Sequence, residues 1–244
     1  MSPSRAGTRV LATLLVLASC ALGVWGLGPR HASAAAEPVI VALGDSLTAG
    51  FGVLPDEAFP ALLEARLRRE GYAYRVVNAG VSGDTSAAAL RRVDWVLRAQ
   101  PSIVIVALGA NDGLRHQSVT AMRANLVAIV RRLRAAGAAV LLVGMRVPPN
   151  YGPEYSRAFT AAFSEAARTT GVALAPFLLD GVAGDPHLNQ PDGIHPTAEG
   201  QRIIADKLWP HLKPLLRKEP GRRTELSGRG RRSACIPPTR TSPF

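Results

Sequence analysis

Gly44-Asp45-Ser46-Leu47 near one end of the chain and Asp192-Gly193-Ile194-His195 near the other carry residue types that can do chemistry together. Serine is a weak nucleophile until a base takes its proton, and that base needs a third group to orient it. Of the five histidines, only His195 has a carboxylate three residues before it, and a proline follows it. If Asp192 accepts the Nδ1 proton, Nε2 is left to face Ser46. Between the two segments lie two more that are polar and glycine-rich: Asn78-Ala79-Gly80-Val81-Ser82-Gly83-Asp84-Thr85 and Gly109-Ala110-Asn111-Asp112-Gly113-Leu114-Arg115. Each follows its own apolar run.

These middle segments supply donors. Asn111 can donate from its side-chain amide, and Gly80, with no Cβ, can bring its backbone N–H close to a substrate. With the Ser46 N–H they form a three-donor oxyanion hole on paper. Asp45 reads as a brace for the loop rather than an acid catalyst. Each position also has a plain reading: Asp-Ser after a strand caps a helix, and Asn-Asp-Gly makes a turn. The chain has no G-x-S-x-G, P-loop, G-x-G-x-x-G or H-E-x-x-H. Asp45, Asp112 and Asp192 could suggest a metal-dependent phosphoesterase, but only one well-placed histidine accompanies them, and no metal site is expected.

The elements that must hold these residues alternate. Apolar runs predict strands at Val39–Leu43, Tyr74–Val77, Ser102–Leu108, Ala138–Gly144 and Val172–Ala175. Helical periodicity predicts Ala58–Glu70, with Leu62, Leu63, Ala65 and Leu67 on its apolar side and Gly71 at its end. Further helices are expected at Thr85–Ala99, Val119–Ala136 and Glu154–Thr170. The last should run from Pro196, at its first position, to about His211, with Ile203, Ile204 and Leu208 inward. Alternating strands and helices with unbroken apolar strands imply an α/β fold with a parallel sheet covered on both faces. Ser46, Gly80 and Asn111 would then follow the first three strands and open on one edge, where such sheets bind ligands.

The composition narrows the function. The chain has 244 residues, 47% of them apolar, and a formal charge of +11. That charge is mostly terminal: residues 1–36 hold three Arg and no acid, and residues 217–244 contribute +6, leaving about +2 for the rest. No basic face with stacking aromatics is legible, so nucleic acid is not an expected partner. Residues 1–36 read as an export signal, with Arg5 and Arg9 before an apolar run and small-residue cleavage sites at Ala32-Ser33-Ala34 and Ala34-Ala35-Ala36. Leu17-Ala18-Ser19-Cys20 resembles a lipobox, and the run is barely long enough for an uncleaved anchor. The expected location is periplasmic or extracellular. Residues 217–244 read as a basic disordered tail. The only cysteines are Cys20 and Cys235, so 37–216 holds neither a disulfide nor a thiol nucleophile.

Taken together, the segments resemble the SGNH, or GDSL-type, hydrolase family, whose four blocks contribute Ser, Gly, Asn and His, here Ser46, Gly80, Asn111 and His195. The runs Gly44–Gly50, Ser82–Ser86, Gly109–Arg115, Pro149–Gly152 and Asp192–Pro196 look like the bacterial periplasmic thioesterase I/protease I/lysophospholipase subfamily, over about residues 37–216. The resemblance implies a three-layer α/β/α, flavodoxin-like fold with about five parallel strands and no cofactor. It implies Ser46, Asp192 and His195 as catalytic residues, and Val81, Ser82, Val147, Pro148 and Tyr151 as substrate-binding ones. Expected substrates are esters and thioesters of single acyl chains, lysophospholipids among them. The enzyme is expected as a monomer, in at most loose contact with a membrane surface. A carbohydrate O-acetylesterase of the same fold, a metal phosphoesterase and a non-catalytic acyl-binding module stay open as alternatives.

Overall fold

A computed structural model describes residues 37–217; the export-signal and lipobox readings, and all but the first residue of the basic tail, lie outside them. In chain order the elements are β1 (Val39–Gly44), α1 (Ser46–Ala49), α2 (Phe59–Arg69), β2 (Arg75–Gly80), α3 (Ser86–Arg91), α4 (Val93–Leu97), β3 (Ile103–Ala107), α5 (Ala110–Leu114), α6 (Val119–Ala135), β4 (Ala139–Val143), α7 (Pro153–Thr170), β5 (Ala173–Ala175) and α8 (Ala198–Leu212). The five strands form one parallel sheet in the order β2-β1-β3-β4-β5. Central β3 is buried at every residue, as a strand covered on both faces must be. One set of helices packs α2 against α8, and another packs α6 against α7 and α3, giving the three-layer α/β/α arrangement.

Strand order reverses between β1 and its neighbours, so the loops after β1 and β3 flank a switch point, where open α/β sheets leave a crevice. Gly44 is paired with Gly80 on one side and Ala107 on the other, so three loops leave the sheet at one level. A buried amide ties the end of the chain to this edge. Gln201 of α8, fully buried, accepts the Phe59 N–H at 3.0 Å and donates to the Leu47 carbonyl at 3.2 Å.

Several expected elements differ. The helix over 85–99 is two helices, broken at Arg92. There the guanidinium turns inward, Nε donating to Asp84 Oδ2 at 2.6 Å and Nη2 to the Gly44 carbonyl at 3.0 Å. That contact stitches the end of β1 to the loop after β2. Pro196 is not the first residue of α8. It pairs in a short bridge with Asn189, and Thr197 caps the helix by accepting the Gly200 N–H. In α2, Leu63 and Leu67 are buried but Ala65 faces solvent.

Candidate active site

Ser46 is the first residue of α1, separated from the end of β1 by Asp45 alone. Its N–H is one of those at a helix start that have no intrahelical acceptor. Asp45 caps the helix, Oδ1 accepting the Leu47 N–H at 3.0 Å, and its other oxygen accepts from Asn111 Nδ2 at 3.4 Å. Asp45 is fully buried. Burial pushes its carboxyl up to about 6, against the pull of the Leu47 N–H and the Asn111 amide.

His195 reaches Ser46 from the far end of the chain, Nε2 lying 2.9 Å from Oγ. Its Nδ1 lies 2.6 Å from Asp192 Oδ2. The other Asp192 oxygen accepts the Ile194 and His195 N–H groups, both at 3.0 Å. The hydrogen bond from the His195 ring, helped by those two amides, pulls Asp192 down to about 2. An ionised carboxylate only accepts, so Nδ1 carries the proton, and Nε2 of the neutral ring is left to accept from the serine hydroxyl. Gly193, at φ 74°, makes the turn that lets a carboxylate and an imidazole three residues apart face each other.

The Ser46–His195 pair opens into a groove of about 600 Å³. Leu47, Phe51, Leu114, Val147, Phe177 and Ile194 give it apolar walls, and Asn111 and Ser82 stand on its rim with the pair. Of the residues expected to bind substrate, Ser82, Val147 and Pro148 line it. Val81 and Tyr151 do not: Val81 points to solvent, and the Tyr151 hydroxyl donates to the Leu114 carbonyl at 2.9 Å, bracing a wall residue instead. Phe51, Arg146, Phe177 and Ile194 line the groove without having been expected. They sit in loops, where apolar periodicity gives no signal.

Gly80 does not occupy the place expected of it. Its N–H donates to Asn78 Oδ1 at 2.9 Å, in a turn of the asparagine's own making. It does not line the groove. Its missing Cβ serves α1, because a Cβ there would fall 2.2 Å from the Ala49 nitrogen and 2.7 Å from Ala49 Cα. Gly83 is the glycine that lines the groove. Its φ of 83° lies in the region glycine favours, and its N–H donates to no acceptor among the described residues. Arg115 Nη2 holds the Gly83 carbonyl at 3.1 Å. Behind the rim, buried Asp112 accepts from the Ser86 N–H at 2.8 Å and the Ser86 hydroxyl at 2.6 Å, joining the segment that carries Gly83 to the helix that carries Asn111. Among the described residues no three His, Cys, Asp or Glu side chains gather as a metal site.

Residues 42–203 match the profile of the GDSL-like Lipase/Acylhydrolase family. The chain is 44% identical over 183 residues to esterase TesA of Pseudomonas aeruginosa, covering 75% of this chain and 91% of that one. It is 40% identical over 184 residues to thioesterase 1/protease 1/lysophospholipase L1 of Escherichia coli, covering 75% and 87%. A crystal structure of the psychrotrophic esterase EstA from Pseudoalteromonas sp., inhibited by monoethylphosphonate, superposes with a TM-score of 0.69 at 38% identity, covering 72% of this chain and 97% of that one.

Proposed function

The chain belongs to the GDSL-like lipase/acylhydrolase family and is a hydrolase of esterase type; from that premise we propose that it is an exported serine hydrolase cleaving esters and thioesters of single acyl chains through an acyl-enzyme on Ser46. The observation that carries this reading is the run Ser46 Oγ, His195 Nε2, His195 Nδ1 and Asp192 Oδ2, with separations of 2.9 and 2.6 Å, at the edge of an apolar groove. His195 takes the Ser46 proton as Oγ attacks the acyl carbonyl carbon. The carbonyl electrons move to oxygen, which the Ser46 and Gly83 N–H groups and Asn111 Nδ2 receive. The intermediate collapses, the bond to the alkoxide or thiolate breaks, and the imidazolium returns its proton to the leaving group. Water, deprotonated by the same imidazole, then releases the acid and restores Ser46.

Replacing Gly80 by Gly83 as the glycine donor follows from which N–H is unpaired beside the groove. The apolar walls favour an acyl chain over an acetylated sugar. The names of the relatives, which span esterase and thioesterase, support both leaving groups. Export rests on the basic and apolar pattern of residues 1–36, and mass spectrometry of the mature N-terminus tests it. A fluorophosphonate should label Ser46, and Ser46→Ala should abolish both labelling and p-nitrophenyl acyl ester turnover. Turnover above a tenth of wild type in that variant would sink the serine mechanism.

A further inference from the structure

Phe51 is a large apolar side chain left 51% exposed beside the base of the site. Its ring centroid is 4.6 Å from that of His195, with the planes inclined by 38°. The contact is held from both sides. Gln190 Nε2 donates to the Phe51 carbonyl at 2.7 Å and to the Pro196 carbonyl at 3.0 Å, while the Gln190 N–H donates to the His195 carbonyl at 2.7 Å. One residue therefore fixes the turn that carries the phenylalanine and the loop that carries the histidine. Glycines flank Phe51, at φ 78° for Gly50 and 77° for Gly52. A Cβ on Gly52 would fall 2.1 Å from Gln190 Oε1, so a glycine there is what admits the amide.

We propose that Phe51 is a positioning residue: its ring keeps the imidazole in line between Asp192 and Ser46 and stabilises the imidazolium formed when the serine proton is taken. The proposal rests on the serine mechanism above. A cation within about 6 Å of an aromatic centroid is attracted by the ring quadrupole, whereas a neutral imidazole gains less. The attraction is therefore larger in the transition state than in the resting enzyme, which is the condition for accelerating the chemical step. The charged groups facing the imidazole are Asp192 on its own loop and Asp45 from the end of β1. Both are untouched by a change at Phe51.

The test is a set of pH profiles of kcat and kcat/KM on a soluble short-chain p-nitrophenyl ester for Phe51→Leu and Phe51→Trp. Leucine keeps bulk and loses the quadrupole. It should lower kcat about 3- to 30-fold, leave KM within about twofold, and move the acid limb of kcat/KM to lower pH. Tryptophan should restore the rate and the limb. A leucine variant as fast as wild type overturns the proposal, as does one that changes KM alone or one whose acid limb stays or rises. Thermal melts establish that each variant is folded. Ser46→Ala, run alongside, separates the failures: if it is inactive while Phe51→Leu behaves as wild type, only the role of Phe51 is lost.

Discussion

Two carboxylates near His195 differ because their surroundings differ. Asp192 accepts two backbone N–H groups and the ring, and stays ionised down to about pH 2. Asp45 is buried and holds its proton up to about pH 6. Their contributions to stability have opposite slopes in adjoining windows. Asp192 titrates lower when folded than when unfolded, so its contribution is complete above about pH 4 and is lost as pH falls towards 2. Asp45 titrates higher when folded, so the folded state binds more protons and stability falls as pH rises from about 4 to 6. Asp45→Asn keeps a capping oxygen for the Leu47 N–H; urea midpoints across that window should lose the downward slope. Asp192→Asn should lower kcat by about 10²–10⁴-fold, because the ring then loses its oriented tautomer. A wild-type rate in that variant would show that the loop alone aligns the imidazole.

At the scale of elements, two glycines three residues apart do different work. Gly80→Ala puts a methyl group into the backbone of α1, and overpacking of this kind costs about 1–3 kcal/mol. Its melting temperature and its rate should therefore fall together, since the displaced helix carries Ser46. Gly83→Ala meets nothing closer than Arg115 Nη2 at 3.6 Å, and is opposed only by its φ of 83°. It should lose kcat with a smaller loss of stability, as an unpaired N–H turns away from the groove. These two glycines also show where sequence reading stops. The central strands β1, β3 and β4 are legible because both-face burial demands unbroken apolar runs, and Ser46, Asn111 and His195 are legible because their chemistry singles them out. Which glycine keeps a free N–H depends on where the Asn78 amide folds back, and the break at Arg92 depends on a carbonyl 48 residues away. The Gly44 carbonyl lies outside any local window; Asn78 is only two residues from Gly80, but its amide is held by the Thr48 carbonyl 30 residues away, which no local window shows.

For the molecule as a whole, most of the formal charge of +11 belongs to residues 1–36 and 217–244, and the residues that line the groove fall between them in the sequence. A chain ending at Arg217 should therefore turn over a short p-nitrophenyl ester as fast as the full chain; a large loss of kcat would give the tail a part in the site. The groove's apolar walls predict that kcat/KM rises with acyl length until the groove of about 600 Å³ is filled, and then levels. A series of chain lengths measures that limit. Three of the four strand pairings join strands consecutive in sequence, but the Ser46–His195 contact spans 149 residues, and Gln201 of α8 joins the far end of the chain to Leu47 and Phe59. Contacts of such separation close late, because the connecting chain must first be ordered. A chain still emerging from the ribosome carries its serine long before it has a base. Hydrolytic competence is thus a report that the two distant ends of the fold have met, and on refolding it should lag the recovery of helix and sheet signals.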